Sequence, residues 1–222
     1  MNIASYIDHT LLKPDASLSQ IEKLCSEAKE HKFFSVCVNS YYVKQCVQLL
    51  KGSDVKVCTV VGFPLGASTM ETKRFEAMKA MAEGAREIDM VINVSAIKSN
   101  EWQYVLDDMS SLANVVHAHH GNILKVILET SLLNQDEKRK ACEFAVKAGV
   151  DFVKTSTGFS GGGATEDDVK LMRSIVGKLG VKASGGIRDA EMAKRMIAAG
   201  ATRLGTSASV EIVKGHIGDS SY

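Results

Sequence analysis

Gly149-Val150-Asp151-Phe152-Val153-Lys154 holds, within six residues, a helix-ending glycine, a short turn and the start of a strand. The same phrase recurs as Gly84-Ala85-Arg86-Glu87-Ile88-Asp89 and as Gly200-Ala201-Thr202-Arg203-Leu204-Gly205. A Gly-Ala turn alone marks any helix-to-strand junction, so the repetition is informative chiefly at its sixth position. Lys154 and Asp89 occupy equivalent places in two units, and Gly205 at that place in a third removes the side chain.

Outward from these phrases, short β-branched runs alternate with amphipathic helical stretches along the whole chain. Strands are expected over residues 5–8, 34–38, 55–61, 88–94, 124–129, 152–155, 181–184 and 203–206. Ser17 followed by Gln20 forms a capping-box pattern, Thr165 and Asp189 are placed as N-caps, and Gly149 and Gly200 sit just past helix ends. Eight βα units of about 28 residues each fit the short end of a TIM (β/α)8 barrel. The expected fold is therefore α/β, one barrel domain over residues 1–222, with 210–222 set apart as a mobile C-terminal tail. An open doubly wound sheet is the alternative, but it would normally use fewer strands, and no strong dinucleotide fingerprint is present.

Composition narrows the partners. Lys plus Arg number 27 against 26 for Asp plus Glu, a formal charge of +1, so no broad field draws the chain to nucleic acid or to an anionic membrane. Any bound anion must be held locally. The five cysteines, Cys25, Cys37, Cys46, Cys58 and Cys142, are odd in number and lack a C-x-x-C pair, which fits a reducing cytoplasm better than a disulfide framework or a zinc knuckle. No signal-peptide pattern opens the sequence, and no apolar run reaches the roughly 18 residues of a membrane span.

Strands enclosed by helices outside and packed side chains inside should read as nearly continuous apolar runs. Several here do not. Period-2 alternation sets Lys154 opposite Val153, sets Lys182 and Ser184 opposite Val181 and Ala183, and sets Asp89, Val91 and Asn93 opposite Ile88, Met90 and Ile92. Asp8 pairs in parity with Thr10, Cys37 with Asn39, and Lys125 with Glu129. Burying one lysine is accounted for by a structural carboxylate partner. Two lysines on consecutive strands repel, and that repulsion has a use: moving a lysine from about 10.4 to near 7 corresponds to roughly 4.6 kcal/mol, which a neighbouring cation and partial desolvation can contribute. An amine nucleophile needs this shift, and Asp89 in reach would carry protons. Lys154 as nucleophile, Lys182 as the tuning cation and Asp89 as the acid/base group form the expected constellation, with a purely structural ion network as its competitor.

Glycines cluster after the last three expected strands: Gly158 with Gly161–Gly163, then Gly185-Gly186, then Gly205 before Thr206-Ser207-Ala208-Ser209. Barrels often bind phosphate through backbone N–H groups in the loops after strands seven and eight, and glycine lets the backbone approach closely. His117, His119 and His120 resemble a metal cluster but fall at a helix end far in sequence from the lysine strands. His9 has outward parity, Trp102 and Tyr104 fit helix packing, and Cys37 reads first as a buried thiol.

Six motifs in order carry a family resemblance: Ile7-Asp8-His9-Thr10-Leu11-Leu12-Lys13-Pro14, Val36-Cys37-Val38-Asn39, Val61-Gly62-Phe63-Pro64-Leu65-Gly66, Glu87-Ile88-Asp89-Met90-Val91-Ile92-Asn93, Val153-Lys154-Thr155-Ser156-Thr157-Gly158 and Lys182-Ala183-Ser184-Gly185-Gly186-Ile187-Arg188. Together they resemble the deoxyribose-phosphate aldolases over nearly the whole chain. The resemblance implies a TIM barrel and a class I aldolase that cleaves 2-deoxy-D-ribose 5-phosphate to D-glyceraldehyde 3-phosphate and acetaldehyde, with neither metal nor other cofactor. It assigns the Schiff base to Lys154, pKa perturbation and proton relay to Lys182, and proton transfer to Asp89. It places Gly158, Gly186, Gly205 and Ser207 to Ser209 near the phosphate, and Asp8, Thr10 and Lys125 along the site. Where some members carry a lysine this chain has Phe159, and Ser160-Gly161-Gly162-Gly163 departs from the Ser-Thr-Gly-Gly of many relatives, so backbone would have to hold the phosphate there. Tyr222 ends the chain as in members whose tail tyrosine assists proton transfer; a frayed terminus is the plain alternative. The implied partners are the sugar phosphate and acetaldehyde, with a homodimer as an open option. Another phosphosugar class I aldolase and a catalytically silent sugar-phosphate binder stand as alternatives.

Overall fold

Local hydrogen bonds supply the punctuation that the sequence requires. The Ser17 hydroxyl accepts from the Gln20 backbone N–H while the Gln20 side chain accepts from Ser17, and Asn134 with Glu137 forms a second reciprocal box. Thr165 caps through the Asp168 N–H, and Asp189 through the Met192 N–H at 2.7 Å. Gly149 ends its helix with φ 73°, and Gly200 follows its helix with φ 114°. These stops convert a chain of alternating elements into eight strand–helix units.

The computed structural model describes residues 2–218. Its strands are β1 (Ile7–Leu11), β2 (Ser35–Val38), β3 (Lys56–Val61), β4 (Glu87–Val91), β5 (Ile123–Ile127), β6 (Phe152–Lys154), β7 (Gly180–Ser184) and β8 (Arg203–Thr206). All pair in parallel in sequence order, and β1 pairs β8, so the sheet is a closed barrel. The helices are α1 (Leu18–His31), α2 (Val43–Leu49), α3 (Met70–Ala82), α4 (Val94–Lys98), α5 (Trp102–His117), α6 (Gln135–Ala148), α7 (Glu166–Val176), α8 (Ala190–Ala198) and α9 (Ser209–Lys214).

Several boundaries differ from expectation for local reasons. β1 starts at Ile7 because Ile3–Tyr6 winds into a 3-10 turn. β4 stops at Val91 because the Asn93 side chain accepts from the Ala96 N–H and starts α4, which removes Asn93 from the interior row. β5 stops at Ile127, and Glu129 beyond it takes a left-handed φ of 54°. Residues 210–214 of the expected tail belong to α9, where Ile212 is buried. Tyr222 lies outside the described residues.

The two sheet faces differ in kind. Ile88, Met90, Val126, Val153, Val181, Ala183 and Leu204 face outward into one apolar layer with Leu24, Ala77, Met109, Leu112, Ala145, Met172 and Met196 of the helices. Burying apolar side chains of this size contributes about 1.5–3 kcal/mol each, so this layer carries most of the drive to fold. The inner face holds a small apolar cluster of Leu12, Cys37, Cys58 and Val60, with Ile127 on the inward row of β5, and beside them a concentration of buried charged side chains. Behind β4, the fully buried Lys73 bonds Asp108 of α5 at 2.5 Å and donates to the Val91 carbonyl at 3.0 Å, fixing the end of the strand that bears Asp89. Burial pushes the Lys73 pKa down and the Asp108 pKa up.

Candidate active site

Parallel register decides which side chains meet inside the barrel. Asp89 lies opposite Lys125, Ile127 opposite Lys154, Lys154 opposite Lys182, and Ser184 opposite Gly205. Each of these residues therefore has the same inward parity. The Lys154 Nζ lies 3.0 Å from Asp89 Oδ2, and the Lys182 Nζ lies 2.8 Å from the same oxygen. Asp89 Oδ1 accepts from the Lys125 Nζ at 2.7 Å and from the Cys58 thiol at 3.2 Å. One carboxylate thus gathers three lysines from β5, β6 and β7.

The cluster extends beyond the residues singled out in the sequence. Asp8 Oδ2 bonds Lys182 at 2.5 Å, and Asp8 Oδ1 accepts from Arg203 at 2.8 Å and from Ser35 at 2.7 Å. Glu87 Oε2 lies 2.5 Å from the Lys125 Nζ and 3.1 Å from Arg203. The Arg203 guanidinium sits 3.4 Å from the centre of the Phe34 ring, which covers it. Four basic side chains, Lys125, Lys154, Lys182 and Arg203, therefore face three carboxylates, Asp8, Glu87 and Asp89. Asp8, Asp89, Lys125 and Lys182 have no exposed surface, and Lys154 keeps 3%.

Burial by itself would raise the Asp89 pKa, yet Lys125, Lys182 and Lys154 outweigh it and hold the carboxyl well below its usual range. Asp8 behaves likewise: burial opposes ionisation, and Lys182, Arg203 and Lys125 override it. Burial would make Lys182 shed its proton, but Asp8 and Asp89 hold it as a firm cation, and Lys125 is held the same way by Asp89, Cys58, Glu87 and Asp8. The stability consequence has a definite sign. The depressed carboxylates contribute stability above about pH 4, lost as pH falls through their folded values; the raised lysines contribute stability below about pH 10.4, lost as pH climbs past it. Thermal midpoints measured across pH should form a plateau between these limits and fall on both sides, and replacing Asp89 by Asn should flatten both flanks.

The other expected site residues differ in what they touch. Asp8 and Lys125 are members of the buried network and do not line an open surface. Thr10 turns its hydroxyl to the Asp8 carbonyl at 2.8 Å. Gly205 faces Lys182 directly: a Cβ there would stand 2.9 Å from the Lys182 Cε and 3.0 Å from the Ser184 Cβ, so the missing side chain makes room for the lysine. The loops after β6 and β7 pack glycine against glycine, with the Gly163 Cα facing the Gly185 carbonyl, where a Cβ would come to 2.5 Å. Gly158, Gly185 and Gly186 have φ of 88°, 84° and 78°, all in the left-handed region. The buried Ser207 Oγ has no hydrogen-bond partner among the described residues. Ser209 differs: its hydroxyl contacts His9 Nδ1 at 2.8 Å, while His9 Nε2 meets Glu27 at 2.9 Å, so His9 ties β1 to α1 and α9. Glu129 braces the loop after β6, accepting from the Thr157 backbone and hydroxyl and from Ser160.

His117 bonds Asp151 at 2.8 Å at the exposed end of α5, and His119 and His120 are exposed. Cys37, Cys58 and Asp89 bring three donor atoms within 4.8 Å of one another, but both Asp89 oxygens already face lysine nitrogens, a poor setting for a cation. The Cys37 and Cys58 thiols share a hydrogen bond that lowers the first pKa, and burial raises the second. A cavity of about 350 Å³ opens at the N-terminal end of the barrel, opposite Lys154, lined by Phe34, Lys56, Arg86, Glu87, His120, Gly121 and Ile123. Glu87, Arg203 and Cys58 were missed in the sequence. Glu87 shares the parity of Asp89 and Arg203 that of Gly205, so parity could have found both; the one charge in the strand of Cys58, Lys56, is exposed at its start and gives no sign of a buried cluster.

A closed parallel barrel with a lysine amine, a second lysine and a carboxylate converging on its axis has the equipment of a Schiff-base lyase. Comparison with known proteins narrows the class. The DeoC/LacD family aldolase description matches residues 2–217, and the chain belongs to that family. It is 62% identical over 216 residues to the deoxyribose-phosphate aldolase of Bdellovibrio bacteriovorus, covering 97% of both chains. It is 60% identical to that of Brevibacillus brevis, covering 97% of this chain and 96% of the relative. Among solved structures, the tetrameric deoxyribose phosphate aldolase from Aeropyrum pernix superposes with a TM-score of 0.89 at 34% identity, covering 96% of this chain and 89% of that one.

Proposed function

We propose that this chain reversibly cleaves 2-deoxy-D-ribose 5-phosphate to D-glyceraldehyde 3-phosphate and acetaldehyde through an imine on Lys154. The observation that carries the reading is the shared oxygen: Asp89 Oδ2 meets both Lys154 and the firmly cationic Lys182. With four basic groups against three carboxylates, the interior is neutral when Lys154 is uncharged, which is the state a nucleophilic amine requires.

In this mechanism the neutral Lys154 Nζ adds to the open-chain C1 aldehyde, and loss of water leaves an iminium. The C3 hydroxyl proton departs and the C2–C3 bond breaks, its electron pair flowing into the iminium to give an enamine of acetaldehyde while C3 becomes the aldehyde of the second product. Protonation of the enamine at C2 and hydrolysis then free Lys154. Asp89 is too strongly ionised to be a good lone base; it orients Lys182 and a bridging water, along which the proton moves. The phosphate is assigned to the backbone of Gly158, Gly185 and Gly186 and to the Ser207 hydroxyl, whose unmet hydrogen bond supports that role. Gly205 and Ser209 serve that end indirectly, by seating Lys182 and α9. Tyr222 is assigned proton transfer at C2 through sequence resemblance alone.

No helix among the described residues is long and apolar enough to cross a membrane, and all five cysteines are free and buried, which supports a cytoplasmic location. Phe75 and Met78, one turn apart on α3 and 71% and 54% exposed, offer a second copy of the chain an apolar contact, the support for a homodimer. The test is direct: purified protein given 2-deoxy-D-ribose 5-phosphate should release acetaldehyde, with kcat/KM at least tenfold above that for unphosphorylated deoxyribose. Ligand-induced thermal stabilisation without turnover would favour the silent binder.

A further inference from the structure

Glu87 is 2% exposed and stands at the start of β4, two residues below Asp89 on the same inward row. Its carboxylate joins Lys125 of β5 and Arg203 of β8, and Lys125 in turn holds Asp89 Oδ1. We propose that Glu87 is a positioning residue of the aldol reaction: it anchors Lys125 beneath Asp89, and its charge, set against that of Arg203, fixes the interior balance on which the ease of deprotonating Lys154 depends. The inference rests on the function proposed above.

The argument is one of geometry and charge count. The Lys125 Nζ is shared by Glu87 at 2.5 Å, Asp89 at 2.7 Å and, more distantly, Asp8 at 3.9 Å. Without Glu87, the ammonium would draw on Asp89 alone at close range, pulling that carboxylate down the barrel and away from Lys154 and Lys182. The interior would also carry one more positive charge. Lys154 is faced by Asp89 of β4, Lys182 of β7 and the Cys37 thiol of β2. Glu87 is faced by Lys125, by Arg203 with Asp8 beyond it, and by Lys56, Arg86 and His120 around the cavity at the N-terminal end. Each added positive charge in this enclosed set disfavours protonation of Lys154, and each removed one favours it.

Two substitutions of opposite sign test the proposal. Glu87→Gln keeps the shape and removes a negative charge; the acid limb of the kcat/KM profile, which reports the free amine, should move down by about one pH unit, and kcat should fall about tenfold with KM changed less than twofold. Arg203→Met removes a positive charge while filling the space against Phe34, and its limb should move up. Glu87→Asp, which keeps the charge, should return the limb to its original place. A folded Glu87→Gln or Arg203→Met variant with an unmoved limb, or both limbs moving the same way, overturns the proposal; if Glu87→Gln does not fold, Arg203→Met decides. Borohydride trapping on the unsubstituted protein separates the two levels: no adduct at Lys154 sinks the function itself, whereas an adduct with unmoved limbs sinks only the role of Glu87.

Discussion

Lys154→Leu is expected to yield a folded barrel whose aldol activity is lower by on the order of 10⁴-fold or more, because no neighbour can replace the covalent intermediate. Lys125 and Lys182 are the other interior lysines, yet each is pinned by at least two carboxylates, which hold them as cations. A protonated amine has no lone pair with which to attack a carbonyl. Stability should move the other way from activity. Removing a nearly buried amine and adding apolar volume leaves Asp89 with its contacts to Lys125 and Lys182, so the melting temperature should hold or rise slightly. Steady-state kinetics alongside thermal unfolding measure both. A variant that retains more than about one per cent of activity would place the nucleophile elsewhere.

The second large effect belongs to Asp89→Asn. This carboxylate is the common anion of three lysines, and an amide there leaves their charges facing each other in a site without solvent exposure. Breaking a buried ion pair by removing one partner typically costs about 3–5 kcal/mol. Activity should drop by roughly 10²–10⁴-fold from loss of the proton path. Unlike Lys154→Leu, this variant should lose stability and turnover together, and its melting temperature should depend less on pH. Retained stability with lost activity would mean that the lysines had found another anion, for which Asp8 is placed nearest to Lys182.

Much of this architecture can be read from the chain because its signals are local. Capping boxes at Ser17, the N-caps Thr165 and Asp189 and the glycine at 149 depend on contacts within four residues, and they appear where expected. The convergence of Lys154, Lys182 and Asp89 was legible for a different reason: strand parity is rigid, so a charge on an otherwise apolar strand has one of two places to go. Asn93 and Glu129 show the limit. Parity placed both inside, but one caps a helix and the other turns left-handed past the end of its strand, because parity holds only while the strand lasts. Ser209 shows another limit, since its pairing with His9 spans 200 residues and leaves no trace in local sequence. The full charge count, with Glu87 and Arg203 completing it, required the closure of β8 on β1.

The central claim is that the Lys154 amine is the covalent nucleophile. It is tested most directly by reducing the protein with borohydride in the presence of acetaldehyde, then mapping the peptides by mass. Reduction of the imine should add a two-carbon ethyl group to the peptide bearing Lys154 and to no other, with pyruvate giving no adduct under the same conditions. An unmodified Lys154 peptide after full reduction, or an adduct on Lys125 or Lys182 instead, would contradict the account.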